Sequence, residues 1–180
     1  MSGNGVYQNE PRPRLCHLHR RPDFEGYGFN LHCDRHKPGQ FIGKVDPNSP
    51  AESAGLQEND RIIEVNFASV ENEIHKQVVG RIKEGVSRNG VNYPDEVVLL
   101  VVDKTTDDFY RSKGRTPKSS DPNVDRFETD MRDYSDNGSS SPQSSNRSIG
   151  GGSVSQKEIN RQHSGSNQNV NFLEFQVNQL

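Results

Sequence analysis

The stretch "FEGYGFNLHC", residues 24–33, constrains the fold more than any other part of the chain. Two glycines and two aromatics fall in four positions, and alternating apolar residues follow at once. Gly26 and Gly28 permit positive φ. Successive backbone N–H groups can then converge on one point, forming a concave nest that holds an anion without a charged side chain. Phe29, Leu31 and Cys33 alternate with Asn30, His32 and Asp34, so the loop opens a strand and not a helix. A dinucleotide loop needs glycine at the sixth position with a helix after it; Leu31 and a strand stand there instead. A kinase-type glycine loop needs a catalytic set of which the chain shows no sign. Two readings remain. One is a tight turn carrying core aromatics. The other is a nest, walled by Tyr27 and Phe29, for an anion attached to an apolar side chain, as in a C-terminal Leu, Val or Phe. Arg20 and Arg21, just upstream, can add long-range attraction or hold a water on that carboxylate.

From residue 14 to 103 the pattern is that of one folded α+β unit, mainly β. "RLCHL" at 14–18 alternates as a first strand, "KPG" at 37–39 signals a turn, and "QFIGKV" is a third strand. In "SPAESAG", Ser49 is the expected N-cap, Pro50 the first helical residue, Glu52 the partner in a capping box and Gly55 the left-handed stop. "DRIIEVNF" at 60–67 and "EVVLLVV" at 96–102 are expected as buried strands. Between them Asn72 can cap a second helix, "EIHKQVVGRIKEG", with an apolar stripe of Ile74, Val78, Val79 and Ile82. "VSRNGVNYPD" is read as a surface loop longer than the connection requires.

The second helix favours the nest over the bare turn. His75, Val79 and Ile82 lie at i, i+4 and i+7 and share one face. A polar mouth with two aliphatics deeper suits a groove for a peptide's hydroxyl and its terminal apolar side chain. Neutral His75 can accept a hydrogen bond from a Ser or Thr two residues before the peptide's end; the competing assignment is a solvent-facing histidine on an amphipathic helix.

Composition settles the remainder. Only 28% of the 180 residues are hydrophobic and the mean hydropathy is −0.98, too polar for a chain folded throughout. The expected organisation is a flexible 1–13, the folded unit over 14–103 (extending up to 110), a disordered Ser/Gly/Asn-rich linker over 111–170, and an apolar segment over 171–180. A net charge of −3 argues against a general nucleic-acid binder. Two cysteines and no secretory apolar run near Met1 point to the cytosol with free thiols, although Cys16 and Cys33 could fall on neighbouring strands. Sequons at Asn137 and Asn146 are then incidental, and no stretch approaches the roughly 18 apolar residues of a spanning helix.

No Gly-x-Ser-x-Gly elbow or paired acidic motif organises an active site, so the expectation is a non-enzyme without cofactor. Metal binding is likewise not expected. "CHLH" (Cys16, His17, His19) and "HCDRH" (His32, Cys33, His36) lack structural-zinc spacing, and strand alternation sends Cys16 and His17 to opposite faces.

In order along the chain, "GYGF", "SPAESAGL", "DRIIEVN" and "HKQVV" resemble a PDZ domain, the peptide-binding module with a GLGF-type carboxylate loop. More narrowly, "RPRLCHL", "GYGFNLHCDRHKPGQFI", "VDPNSPAESAGL" and "LLVVDKTTDDFY" resemble the sodium/hydrogen exchanger regulatory factor family, the second of its tandem domains above all. The resemblance implies a partly open antiparallel barrel or sandwich of five to six strands with two helices. It implies ligand addition as an extra strand between the second strand and the second helix. Tyr27, Gly28 and Phe29 would hold the carboxylate by backbone N–H, Phe29, Leu31, Val79 and Ile82 would line the terminal pocket, and His75 would select Ser or Thr. Asn30 and His32 would touch outer ligand positions. The implied role is that of an adaptor collecting tails of membrane transporters, channels or receptors, peripheral at the inner face of the apical plasma membrane and linked to its cytoskeleton.

Two departures from the family pattern stand out. Asn66-Phe67 replaces the usual Asn-Gly turn, so Phe67 must avoid positive φ or find cover, and the loop over 86–95 is longer. The family has two PDZ domains and a segment for ezrin/radixin/moesin-type linkers; this chain has one domain, as a short isoform or fragment would. Its ending, "NFLEFQVNQL", lacks the basic residues such linker binding calls for. A second possibility is self-association or autoinhibition, with Leu180 in the groove of its own or a neighbouring copy, against which Asn178 stands where a hydroxyl is preferred. Ser164 follows Arg161 at basophilic-kinase spacing, and Thr116 and Ser141 precede prolines, so all three are candidate phosphorylation sites.

Overall fold

The computed structural model describes residues 9–34 and 37–131 and the backbone of Phe175–Gln176. Strands β1 (Arg14–His19), β2 (Phe29–His32) and β3 (Gln40–Val45) precede helix α1 (Pro50–Ser53). After it come β4 (Arg61–Val65), β5 (Ala68–Ser69), α2 (His75–Glu84), β6 (Val86–Arg88), β7 (Val91–Tyr93), β8 (Glu96–Val102), α3 (Lys104–Ser112), β9 (Asp125–Glu128) and β10 (Phe175–Gln176). The main sheet runs β10-β2-β3-β4-β8-β1-β9, with β5 paired to β4. Every pairing in it is antiparallel except β1 with β9. Among the described residues the architecture is mainly β, with open sheets and three helices.

The central strand β8 explains why six apolar residues follow one another after Glu96. Val97, Leu99 and Val101 enter the main core with Phe29, Leu31, Ile42, Val78 and Ile82. Val98, Leu100 and Val102 enter a second cluster on the other face, with Leu15, Ile63, Val86 and Val124. A strand covered on both faces has no use for a polar alternation.

Several expectations need correction. Residues 111–131, expected as linker, are part of the fold; residues 132–170 lie outside the described chain. Asp103 caps α3, its side chain accepting from Thr106 N–H at 2.8 Å. Tyr110 is buried and receives a 2.7 Å hydrogen bond from Asn123. β9 then lies parallel on β1. The stretch over 86–95 is not an irregular loop but the hairpin β6–β7, turning on Asn89 and Gly90 at φ 52° and 77°. That pair is the type I′ combination whose twist matches the flanking strands.

Helix α2 starts at His75, not at a residue capped by Asn72; Ile74 is the N-cap and is 65% exposed, outside the apolar stripe. The Gln77 side chain accepts the Ile74 N–H at 3.0 Å. At α1, Ser49 Oγ accepts from Glu52 N–H as expected, while the Glu52 carboxylate reaches Asn48 N–H and not Ser49's. Cys16 and Cys33 are free thiols, and β1 and β2 are not neighbours in the sheet. Burial pushes the Cys16 thiol up to about 12.

Candidate functional site

The glycine loop is locked from behind. Tyr27 C=O accepts from Ala51 N–H at 2.9 Å, and Gly28 C=O accepts from Asp46 N–H at 2.8 Å. In a planar trans peptide the N–H points opposite to the C=O, so the amides of Gly28 and Phe29 are turned away from α1 and β3. Gly26 and Gly28 hold φ of 73° and 78°. At Gly28 there is also no room: a Cβ would lie 2.2 Å from Ser49 Cβ and 2.9 Å from Phe24 Cε1. The N-cap residue of α1 therefore presses directly on the loop.

Tyr27, Phe29 and Leu31 are all buried, and Phe29 and Leu31 pack in the same core as Val78 and Ile82. Val79, next to Val78 on α2, is half-buried. The Arg20 guanidinium lies over the Tyr27 ring, 5.4 Å from its centroid. Burial raises the Tyr27 hydroxyl's pKa, with Arg20 opposing. Arg21 is occupied otherwise: it binds Asp23 at 3.1 Å and donates to Asn48 C=O, bracing the loop's approach to α1.

His75 stands at the first position of α2. Its Nδ1 lies 2.8 Å from Gln40 Oε1. An amide oxygen only accepts, so Nδ1 carries the proton and the neutral ring's Nε2 is the acceptor. Burial first, and the neighbouring His32 second, lower the His75 pKa below 6.5, favouring that neutral form. Gln40 is a buried polar residue that orients the histidine, and sequence reading missed it. The two are 35 positions apart and no local pattern joins them.

The outer positions are more constrained than expected. Asn30 Oδ1 accepts from Lys44 N–H on β3, at a register shift between Phe29 and Leu31. Gly43 makes this contact possible, since a Cβ there would fall 2.2 Å from Asn30 Oδ1. His32 stacks on Phe41 with centroids 5.7 Å apart. Thr116 is exposed, four residues beyond the end of α3; Ser141, Ser164, Asn178 and Leu180 lie outside the described residues.

The free edge of β2 has an occupant. β10 pairs with it antiparallel, Phe175 opposite Leu31 and Gln176 opposite Asn30. If Leu180 stood opposite Phe29, Asn178 would face Leu31; the observed pairing is offset from that by three residues.

Residues 16–101 match the PDZ domain family. The chain is 52% identical over 102 residues to the Na(+)/H(+) exchange regulatory cofactor NHE-RF2 of Mus musculus, covering 57% of this chain and 27% of that one. It is 47% identical over 108 residues to the NHE-RF1 cofactor of Gallus gallus, covering 60% and 29%. The chain thus spans about three-tenths of the length of these curated relatives. A solved PDZ domain from choanoflagellate SHANK1, bound to a GIRK3 peptide, is 34% identical, covering 48% of this chain and 86% of that one, with a TM-score of 0.38.

Proposed function

The chain belongs to the PDZ family through residues 16–101, in the branch of the Na(+)/H(+) exchange regulatory cofactors, and we propose that its β2–α2 groove captures C-terminal tails ending in Ser/Thr-x-apolar residues. A PDZ scaffold binding peptides is the family role; the ligand class and the membrane-protein partners are the proposal. The observation that carries it is β10, which shows the edge of β2 accepting a backbone strand antiparallel, the geometry of strand addition. On this reading the Gly28 and Phe29 amides take the terminal carboxylate, with Tyr27, Gly26 and Arg20 shaping their surroundings. Val79 and Ile82 receive the last side chain, and His75 Nε2 accepts from the Ser or Thr hydroxyl. Arg21 acts through loop geometry.

Strand-addition bonds contribute about 1 kcal/mol each net, and burying a terminal Leu about 2 kcal/mol. After association and ordering costs, affinity of roughly micromolar order follows, suited to an adaptor assembling transient complexes at the inner face of a membrane. Among the described residues no helix is long and apolar enough to cross one. The test compares one labelled peptide, ending Ser/Thr-x-Leu, with a free and with an amidated terminus. The amide should bind at least about tenfold more weakly, since it forfeits the charge-assisted bonds; equal affinities would overturn the reading.

A second reading concerns self-occupancy. β10 places a segment of the chain's own tail on the ligand edge, which supports an autoinhibited groove. Its three-residue offset favours backbone addition by Phe175–Gln176 over insertion of Leu180 into the glycine loop.

A further inference from the structure

On the sheet face opposite the main core, β1 presents two histidines that the peptide groove does not use. His17 and His19 alternate with buried Leu18, so both rings stand on one face, 4.1 Å between centroids. The strand registers bring a carboxylate to each. Glu128 on β9 is opposite His17, and Glu96 on β8 is opposite His19. Backbone bonds secure the arrangement: Thr129 N–H to His17 C=O at 2.9 Å, and His19 N–H to Thr129 Oγ1 at 3.1 Å.

The rings are oriented in a particular way. His17 turns Nε2 to Glu96 Oε2 at 2.8 Å and Nδ1 to Glu128 Oε1 at 3.4 Å. His19 turns Nε2 to the same Glu128 oxygen at 2.8 Å and Nδ1 toward Glu96 Oε1 at 3.8 Å. Glu96 is also held by Arg88. If His17 donates through Nε2 to Glu96, its Nδ1 lone pair faces a carboxylate oxygen, and two acceptors confront each other. A cation between them resolves the confrontation.

We infer that His17 Nδ1, His19 Nε2 and the Glu128 carboxylate form a site for a zinc-class divalent ion, with Glu96 positioning His17 from behind. One ligand atom from each of the three residues lies within 4.8 Å of the others. A tetrahedral ion with bonds of about 2.0–2.2 Å spans ligand–ligand edges of roughly 3.3–3.6 Å. The 3.4 Å edge already has that length. The 2.8 Å edge opens by a small rotation of Glu128, whose side chain is 63% exposed. Two imidazoles and one carboxylate suit zinc better than magnesium or calcium, which prefer all-oxygen shells. A carboxylate behind a ligating histidine is the usual outer-shell partner. A surface pocket lined by His19, Glu128, Thr129, Asp130 and Met131 adjoins the cluster. Bound there, the ion would clamp β9, which lies beyond residues 16–101, onto the domain proper.

The experiment is calorimetric titration of the tag-free 180-residue protein with zinc chloride, repeated with cobalt(II) to read the tetrahedral visible band. One equivalent is expected, with a rise in melting temperature. Glu128→Gln, at an exposed position that threatens no core packing, should lower zinc affinity at least about tenfold, and Glu96→Gln about 10- to 100-fold. His17→Asn with His19→Asn should abolish the cobalt band. Absence of stoichiometric binding would leave a proton-bridged cluster and overturn the site. Undiminished binding in Glu128→Gln and in the double histidine variant would assign the ion to other histidines and overturn it equally.

Discussion

Gly28 and Phe67 both sit at positive φ, 78° and 66°, yet they stand in opposite relations to their surroundings. At Gly28 the space is filled by Ser49 and Phe24, so Gly28→Ala combines a left-handed backbone with a clash. Each is worth about 1–3 kcal/mol, and a loss of about 3 kcal/mol in chemical denaturation is expected, together with loss of peptide binding. Phe67 follows Asn66 in the turn between β4 and β5 and is 53% exposed, with Leu15, Val98 and Phe127 giving partial cover. It does not avoid positive φ, and its cover is incomplete. Phe67→Asn should therefore raise stability by about 0.5–1 kcal/mol, because Asn tolerates the left-handed region that a bulky side chain resists. An unchanged denaturation midpoint would mean the aromatic cover offsets the strain. His75 yields a pH dependence of definite sign. Its pKa is lowered on folding by burial and by His32, so the unfolded chain binds the extra proton first. The stability it contributes is complete above about 6.5 and declines as pH falls below that value. Binding follows the same sign: the preference for Ser/Thr peptides over hydroxyl-free ones should hold from about pH 8 to 6.5 and shrink below it, as protonated imidazole cannot accept. His75→Ala should remove that preference at every pH.

Helix α3 shows how an element can be essential without an apolar stripe. Its buried residues are Thr106, Asp107 and Tyr110. Asp107 Oδ1 accepts from Arg61 on β4 at 2.9 Å and from Arg111 at 3.1 Å. Asp107→Ala strands the buried Arg61 charge and should cost about 3 kcal/mol, since breaking one side of a buried pair leaves the other unsatisfied. Replacing both Arg61 and Asp107 by apolar residues should recover much of that loss, and a double-mutant cycle measures the difference. The same chemistry explains what could be read in advance. The strands β1, β2, β3, β4 and β8 and helix α1 follow from alternation, continuous apolar runs and the Ser49-Pro50 cap. The left-handed stop at Gly55, with φ of 78°, follows likewise. Helix α3 was obscured because its buried face is polar, and β9 because three of its four residues, Arg126, Phe127 and Glu128, are exposed. The β6–β7 hairpin is legible through Asn89-Gly90, although its strands are only three residues long. The burial of Phe29, Leu31 and Ile82 was legible because they obey local periodicities. The hand of Gln40 on His75, and of Gly43 on Asn30, depends on contacts between strands and helices that no window of sequence contains.

For the molecule as a whole, the decisive relation is between β10 and the edge of β2 with which it pairs. Occupancy by a tethered segment lowers apparent affinity for an external peptide by the fraction of time the edge is open. Tethering makes this competition insensitive to protein concentration, and loop closure over more than forty residues costs only slightly more than over twenty. Two residue pairs of backbone addition, without the carboxylate's grip on the glycine loop, hold weakly, so an external tail with a free terminus should still win at moderate concentration. Deleting residues 171–180 should therefore strengthen binding of a Ser/Thr-x-Leu peptide by about three- to tenfold, and adding the 171–180 segment back as a separate peptide should restore competition only at high concentration. Unchanged affinity after the deletion, measured in dilute protein, would remove intramolecular occupancy. A gain that appears only in concentrated protein would place β10 on the groove of a second copy. A Phe175→Pro variant sharpens the distinction, because proline cannot donate to the strand ladder: it should reproduce the deletion if backbone addition is what holds the tail, and leave affinity unaltered if the tail's carboxylate does.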